Sequence, residues 1–342
     1  MNSAGRISSV ALAASFAVGL GLCQSSGAST REVRVYSGRH YNTDRQIFKR
    51  FSKETGIRVR LIEATGISLI ERLKREGSNS KADIILLVDA ARITKAAKAG
   101  LLQPYRSAKL DAEVPKEYRD PEGRWYALTR RVRVMVANSS KVDVEKIRNY
   151  SDLALPSLKG QVCLRKRNSP YNQSLVADQL VLRGEVATKK WLKGMIDNVS
   201  QPYFPGDIGL TRAVAQGGCG VAIVNHYYVA RMLAGVNGGK DRNLAKKVKV
   251  IIPKPAHVNV SAGGLARYAK NKKEAIQLLE YLASPNGSRG LAGPTYEHPL
   301  KGFNKSKEVK GFGSFRPDSV TINQLGLFNA KAISLMAKSG WK

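Results

Sequence analysis

Histidine and cysteine are scarce in this chain, four and three among 342 residues. None are spaced as zinc ligands are, no nucleophile stands at a base-paired spacing, and no glycine-rich loop is built to cradle phosphate. So few general bases give an enzyme reading little support, and no catalysis is expected. Acidic residues are also short, 26 against 57 Lys and Arg, which leaves a net charge of +31. Such an excess attracts anionic partners, nucleic acid among them. The basic residues are spread along the whole chain, however, and no nucleic-acid motif with interleaved aromatics accompanies them. No nucleic-acid partner is therefore expected; an anionic membrane or cell-wall surface is the candidate. Beyond the N-terminus no segment has the length and apolarity of a transmembrane helix. Internal repeats are lacking too.

Residues 1–28 read as an export signal. Arg6 supplies the charge, Val10 to Leu22 form a short apolar run of small residues, and Ser26-Gly27-Ala28 offers a cleavage site before Ser29. A retained membrane anchor is the alternative. Cys23 adds a lipoprotein option, against which Leu22 is bulky. Removing Arg6 from +31 leaves +30 for the mature chain. Cys163 and Cys219 then remain, both in apolar strand-like runs. In an exported protein that even pair suggests a disulfide, with two buried free thiols as the alternative.

What is present is an alternation. Hydrophobic residues make up 43% of the chain, enough for one large or two medium cores. "VRVYS" from Val33 reads as a strand. "TDRQIFKRFSKETG" reads as a helix with Thr43 as its cap, Ile47, Phe48 and Phe51 on one face, and Gly56 at its end. "IRVRLIEA" is a strand, "ISLIERLKREG" a helix, "ADIILLV" a strand covered on both faces, and "AARITKAAKAG" a helix. This βαβαβα order predicts a parallel sheet sandwiched by helices. "YALTRRVRVMVANSS" is long for one strand and could cross between two lobes. A second α/β series begins at Gly160–Arg167, continues with helices in Gln173–Asp197 and Thr211–Gln216, and reaches the strand "CGVAIV". Val248–Pro255 is a candidate return crossing, after which "SAGGLARYA" and "KKEAIQLLEYLAS" rejoin the first lobe; Asp318–Lys338 reads as a last helix. Two lobes joined by two crossings leave a cleft between them.

Phenols gather where that cleft would be. His40 and Tyr41 follow the first strand, Tyr171 follows the strand at Cys163, and Tyr227 and Tyr228 follow the strand at Val221. Ligands of open α/β sheets bind beyond the carboxyl ends of the strands, and these tyrosines sit at such ends. Deprotonating one phenol at neutral pH costs roughly 4 kcal/mol, and four cost roughly 16 kcal/mol before their mutual repulsion. A strong Lewis acid offsets that cost, and ferric iron suits hard phenolate oxygen. Arg231 lies one helical turn after Tyr227. Arg131 and Arg133 alternate on the crossing strand and so face one side of it. Single tyrosines at strand ends are more often packing residues, and phenols also stack on sugars or organic cations. The same cleft could hold an oxyanion through its arginines or a polyamine through its phenols.

"RVYSGRHYNTD", "SPYNQSL" and "NHYYVARML" together resemble the ferric-iron-binding proteins of periplasmic ABC importers, in particular the FutA type. The likeness runs over essentially the whole mature chain, including the "PTYEHPL" segment. It implies a two-lobed α/β fold of the type II periplasmic-binding-protein kind, similar to a transferrin lobe, with mixed sheets flanked by helices and a hinge of two crossing strands. The lobes would comprise residues 29–130 with 258–305 and residues 131–257 with 306–342. The metal ligands implied are Tyr41, Tyr171, Tyr227 and Tyr228, with His40, Arg131, Arg133 and Arg231 beside them rather than on the metal. Some relatives add a carboxylate; here the matching region is "LLVDAAR", and Asp89, one carbon shorter than glutamate, is not expected to bind. Water, His40 or an accompanying anion such as carbonate would complete the coordination. The role implied is a periplasmic, monomeric carrier that captures Fe3+ and delivers it to an inner-membrane ABC permease.

Overall fold

Strand and helix alternate from the first described residues. The structure, a computed structural model, describes Met1, residues 31–39 and residues 41–342. The expected export signal, with Cys23, and His40 lie outside the described residues.

The opening series is β1 (Glu32–Ser37), α1 (Asp44–Thr55), β2 (Arg58–Glu63), α2 (Gly66–Glu76), β3 (Ile84–Val88) and α3 (Ala90–Lys98). α1 buries Ile47, Phe48 and Phe51 on one face and ends at Gly56, whose φ of 71° is the left-handed conformation glycine adopts freely. Thr43 does not cap this helix with its side chain. The first turn is held instead by Asp44, whose Oδ2 accepts from Arg39 Nε at 2.7 Å. Every residue of β3 is buried, as its unbroken apolar run requires.

α4 (Ala108–Glu113) leads to β4 (Tyr126–Ala137), which is buried along its whole length. The second series is β5 (Val162–Cys163), α5 (Pro170–Asp197), α6 (Asp207–Ala215), β6 (Val221–Asn225), α7 (His226–Leu233) and α8 (Gly239–Ala245). β5 is far shorter than the predicted Gly160–Arg167: it pairs with β6 on one side, and the run meets the following chain on the other only through isolated bridges at Val199 and Phe204. α5 is broken at Gly184, whose φ is 76°. The chain returns through β7 (Lys249–Ile251), β8 (Val258–Leu265), α9 (Lys272–Ala283), α10 (Pro285–Thr295), β9 (His298–Pro299), α11 (Lys307–Lys310) and α12 (Ile322–Lys338).

The strand order is β2-β1-β3-β8-β4-β6-β5, with β7 and β9 also on β4. β1 runs parallel to β2 and β3, as the βαβαβα order predicted, and β5 runs parallel to β6. β4 is antiparallel to every partner and serves both series. Tyr126 to Val132 pair with β8, and Arg133 to Ala137 pair with β6. β7 and β8 carry the chain back along the same strand, so two crossings join two α/β halves. One apolar core contains Val33, Phe51, Ile84 and Leu279; a second contains Leu175, Trp191, Ile223 and Trp341. α12 packs on both α5 and α3.

Cys163 and Cys219 form a disulfide with Cα atoms 5.9 Å apart, across a sequence separation of 56. Closing a loop of that length removes unfolded-state entropy worth roughly 4 kcal/mol. Replacing both cysteines by serine is therefore expected to lower the guanidinium midpoint by a corresponding amount. An unchanged midpoint would mean the reduced chain is constrained in some other way.

Candidate metal centre

The four tyrosines reach their positions by three short connections. Pro170 opens α5, its fixed φ being suited to a first helical position, and this puts Tyr171 in the first turn. β6 passes into α7 at Asn225, and Tyr227 and Tyr228 fall in the first turn of α7. Tyr41 lies just before α1. The helix predicted from Gln173 begins at Pro170. Three phenols consequently sit at helix N-termini, where the peptide dipoles favour negative charge.

The groups are close. Tyr227 Oη donates to Tyr171 Oη at 3.4 Å, and Asn225 Nδ2 donates to Tyr227 Oη at 3.4 Å. The rings of Tyr227 and Tyr228 lie 4.3 Å apart at 37°. The guanidinium of Arg39 stands 5.0 Å from the Tyr41 ring centre, and those of Arg131 and Arg165 stand 5.3 and 5.2 Å from the Tyr171 ring centre.

Burial pushes the Tyr41 phenol well above its ordinary pKa, Glu297 and Tyr171 push it further, and Arg39 opposes them. Burial likewise raises Tyr227, reinforced by Tyr171, Tyr228 and Tyr41. Tyr228 is raised by burial first, then by Tyr171 and Asp207. These tyrosines thus lie within charge range of one another and resist ionising together, so without a cation Tyr41, Tyr227 and Tyr228 keep their protons at neutral pH.

The surrounding charges are already matched. Arg39 meets Asp44 at 2.7 Å and Glu297 at 3.2 Å. Arg131 meets Asp89 at 3.3 Å and lies 3.9 Å from Glu297. Arg133 and Arg165 share Asp207, each at 2.9 Å, and Arg133 also donates to Asn172 Oδ1. With four guanidinium groups answered by Asp44, Asp89, Asp207 and Glu297, the pocket is near neutral while its phenols are protonated. Asp89 has little capacity left for a metal. It accepts from Ser174 Oγ at 2.6 Å, from Ala91 N at 3.0 Å and from Asn259 Nδ2 at 3.0 Å. The Ser174 bond also ties α5 to the start of α3 beside the phenols.

The structure thus brings Tyr41, Tyr171, Tyr227, Tyr228 and Arg131 together. Arg133 lies on the same buried face of β4 but spends its charge on Asp207. Arg231, in the last turn of α7, bears instead on the Tyr296 phenol. Sequence reasoning did not single out Arg39, Arg165, Asp207, Glu297 or His226. His226 and Glu297 stand inside motifs that were noticed, next to a tandem tyrosine and within "PTYEHPL"; Asp207 has no local signal. His226 joins the hinge to the last third of the chain. Its Nδ1 accepts from Val132 N at 3.2 Å, its Nε2 donates to Tyr296 O at 2.9 Å, and its ring stacks on His298 at 4.4 Å.

Two α/β halves joined by paired crossings, with a polar cluster between them, define a type II periplasmic-binding-protein fold. Residues 79–310 match the family described as bacterial extracellular solute-binding protein, and the chain belongs to that family. It is 38% identical to iron uptake protein A1 of Synechocystis sp. over 317 residues, 91% of this chain and 88% of that one. It is 29% identical to the major ferric iron-binding protein of Neisseria meningitidis, over 79% of this chain and 81% of the other. Among solved structures, that of Trichodesmium FutA (IdiA) in complex with iron and citrate ligands matches with a TM-score of 0.87 and 38% identity, covering 91% of this chain and 100% of that one.

Burial lowers the pKa of His226 to about 4. Its folded value lies below the unfolded one, so its stabilisation is complete above about pH 6.5 and is lost as the pH falls through about 4, by roughly 3 kcal/mol at that point. Denaturant unfolding at pH 7 and pH 4 should therefore show a smaller pH loss in His226→Gln than in the wild type. Equal losses would remove His226 from the account.

Proposed function

We propose that this chain captures ferric iron between its two halves through Tyr41, Tyr171, Tyr227 and Tyr228. The observation that carries the reading is the cluster of four neighbouring phenols set among paired guanidinium and carboxylate groups. Such a cluster has little to offer a monovalent cation, and each of its arginines already has a carboxylate within ion-pair distance, although Arg131 Nε and Nη1 have no hydrogen-bond partner among the described residues. A trivalent ion changes the balance. Fe3+ displacing three phenol protons leaves the local charge where it was, and a fourth phenolate adds a single negative charge beside Arg131 and Arg165. The helix N-termini beneath Tyr171, Tyr227 and Tyr228 help to carry that charge. Water, or an oxygen-donor anion like the citrate of the FutA complex, completes the coordination. Kinship with iron uptake and ferric iron-binding proteins supports the reading.

On this reading residues 29–130 with 258–305 form one lobe, residues 131–257 with 306–342 form the other, and they close on iron about β4 and the β7–β8 return. Export follows a signal in residues 1–28, the working location is the periplasm, and a monomer delivers its iron to an ABC permease without catalysing a reaction. The +30 mature charge would hold it near anionic membrane.

Ferric citrate added to the mature protein should produce an intense phenolate-to-iron charge-transfer band in the visible. Tyr227→Phe with Tyr228→Phe should abolish tight binding while leaving the far-ultraviolet circular dichroism intact; unchanged affinity in that folded double variant sinks the proposal. Binding must also release protons. Below the raised phenol pKa values, each phenolate formed should weaken iron binding by about tenfold per unit fall in pH. A pH-independent affinity between pH 8 and pH 6 would argue against phenolate ligands.

A further inference from the structure

A second cluster of metal-ligating groups lies at the hinge, away from the tyrosines. Asp178 on α5, His257 between β7 and β8, and Asp318 ahead of α12 each present a donor atom, and the three atoms lie within 4.8 Å of one another. Asp178 and His257 are each 1% exposed. Among the described residues, neither ring nitrogen of His257 has a hydrogen-bond partner, nor does Asp178 Oδ1. His257 Nδ1 is 3.2 Å from Asp178 Oδ1, yet the two are not aligned as a hydrogen bond. An imidazole buried with both nitrogens unsatisfied is costly, and so are two carboxylates held together in a partly dry site.

The neighbouring contacts fix the positions of these groups and leave those donor atoms open. The His257 backbone N donates to Tyr150 Oη at 3.2 Å, and its carbonyl accepts from Arg133 N at 3.1 Å. Asp178 uses its other oxygen on Gln179 Nε2 at 2.9 Å. Asp318 Oδ1 accepts from Val320 N at 2.9 Å, and the Asp318 backbone N donates to Ala256 O at 3.1 Å. A cavity of about 260 Å³, lined by Tyr118, Val258, Asp318 and Val320 among others, opens beside Asp318 and gives room for entry and for water ligands.

We propose that Asp178, His257 and Asp318 form a second metal site that takes a divalent transition cation of the Zn2+ or Mn2+ class. One nitrogen and two carboxylate oxygens suit such an ion, with bonds of about 2.0–2.2 Å and water in the remaining positions. Two carboxylates and a neutral imidazole would balance its charge, and the ring nitrogen would find the partner it lacks. The ion would clasp α5, whose first turn carries Tyr171, to the return crossing and to the segment entering α12. The inference stands whether or not the tyrosine pocket holds iron.

The mature protein, stripped of metal with chelator, would be titrated calorimetrically with Zn2+, and crystals soaked in Mn2+ would be measured for anomalous scattering. One saturable Zn2+ per chain is expected, weakened at least tenfold by His257→Gln and by Asp318→Asn. Neither change should alter the visible band formed with ferric citrate. The anomalous peak should fall between Asp178, His257 and Asp318. Asp318→Asn, on a half-buried loop residue, keeps the test valid if His257→Gln fails to fold. No saturable Zn2+ binding, a peak only among the tyrosines, or Zn2+ affinity unchanged in both variants would overturn the proposal and leave the carboxylates as a proton-sharing pair.

Discussion

The structure turns on burying phenols and guanidinium groups in the same pocket. Arg39, Arg131 and Arg133 are almost wholly removed from water, and an isolated buried charge would be prohibitively expensive. Each therefore has a carboxylate within ion-pair distance: Asp44 and Glu297, Asp89, and Asp207 respectively. Pairs of this kind add little net stability, but removing one partner costs a great deal, so they fix geometry more than they strengthen the fold. They specify a unique arrangement at the junction of the two halves, and the tyrosines inherit that precision.

Long-range partners dominate the arrangement. Arg39 and Glu297 are 258 residues apart, Arg131 and Asp89 are 42 apart, and Arg133 and Asp207 are 74 apart. β4 is the element through which they meet. Because it pairs with β8 at one end and β6 at the other, its buried arginines reach both halves. The crossing strand thus also carries arginines that flank the phenols. His226 adds to the same junction, spanning from β4 to Tyr296.

The pocket stores its chemistry as raised pKa values. Tyr41, Tyr227 and Tyr228 hold their protons chiefly because they are buried, and each charge formed would oppose the next. A weakly charged ligand cannot reverse that. On the proposed reading, the arrangement would discriminate by charge density, since a strong Lewis acid outweighs those repulsions.

Local pattern was enough to read much of this molecule. The apolar run of β3, the spacing of Ile47, Phe48 and Phe51, the terminating Gly56 and the unusual length of β4 are consequences of nearest neighbours along the chain, and periodicity reports them directly. The tandem tyrosine after β6 was conspicuous for the same reason. The disulfide could be anticipated as an even pair but not distinguished from two thiols until β5 and β6 were seen side by side. What the tertiary structure decided was everything set by distant charge. Arg165 lies over Tyr171 and shares Asp207 with Arg133, and Asp89 is consumed by Ser174, Asn259 and Arg131. A charged side chain carries no record in its own neighbourhood of which distant partner will neutralise it, so sequence named the phenols with Arg131 and Arg133 beside them, and the fold alone assigned the carboxylates that pair with those arginines.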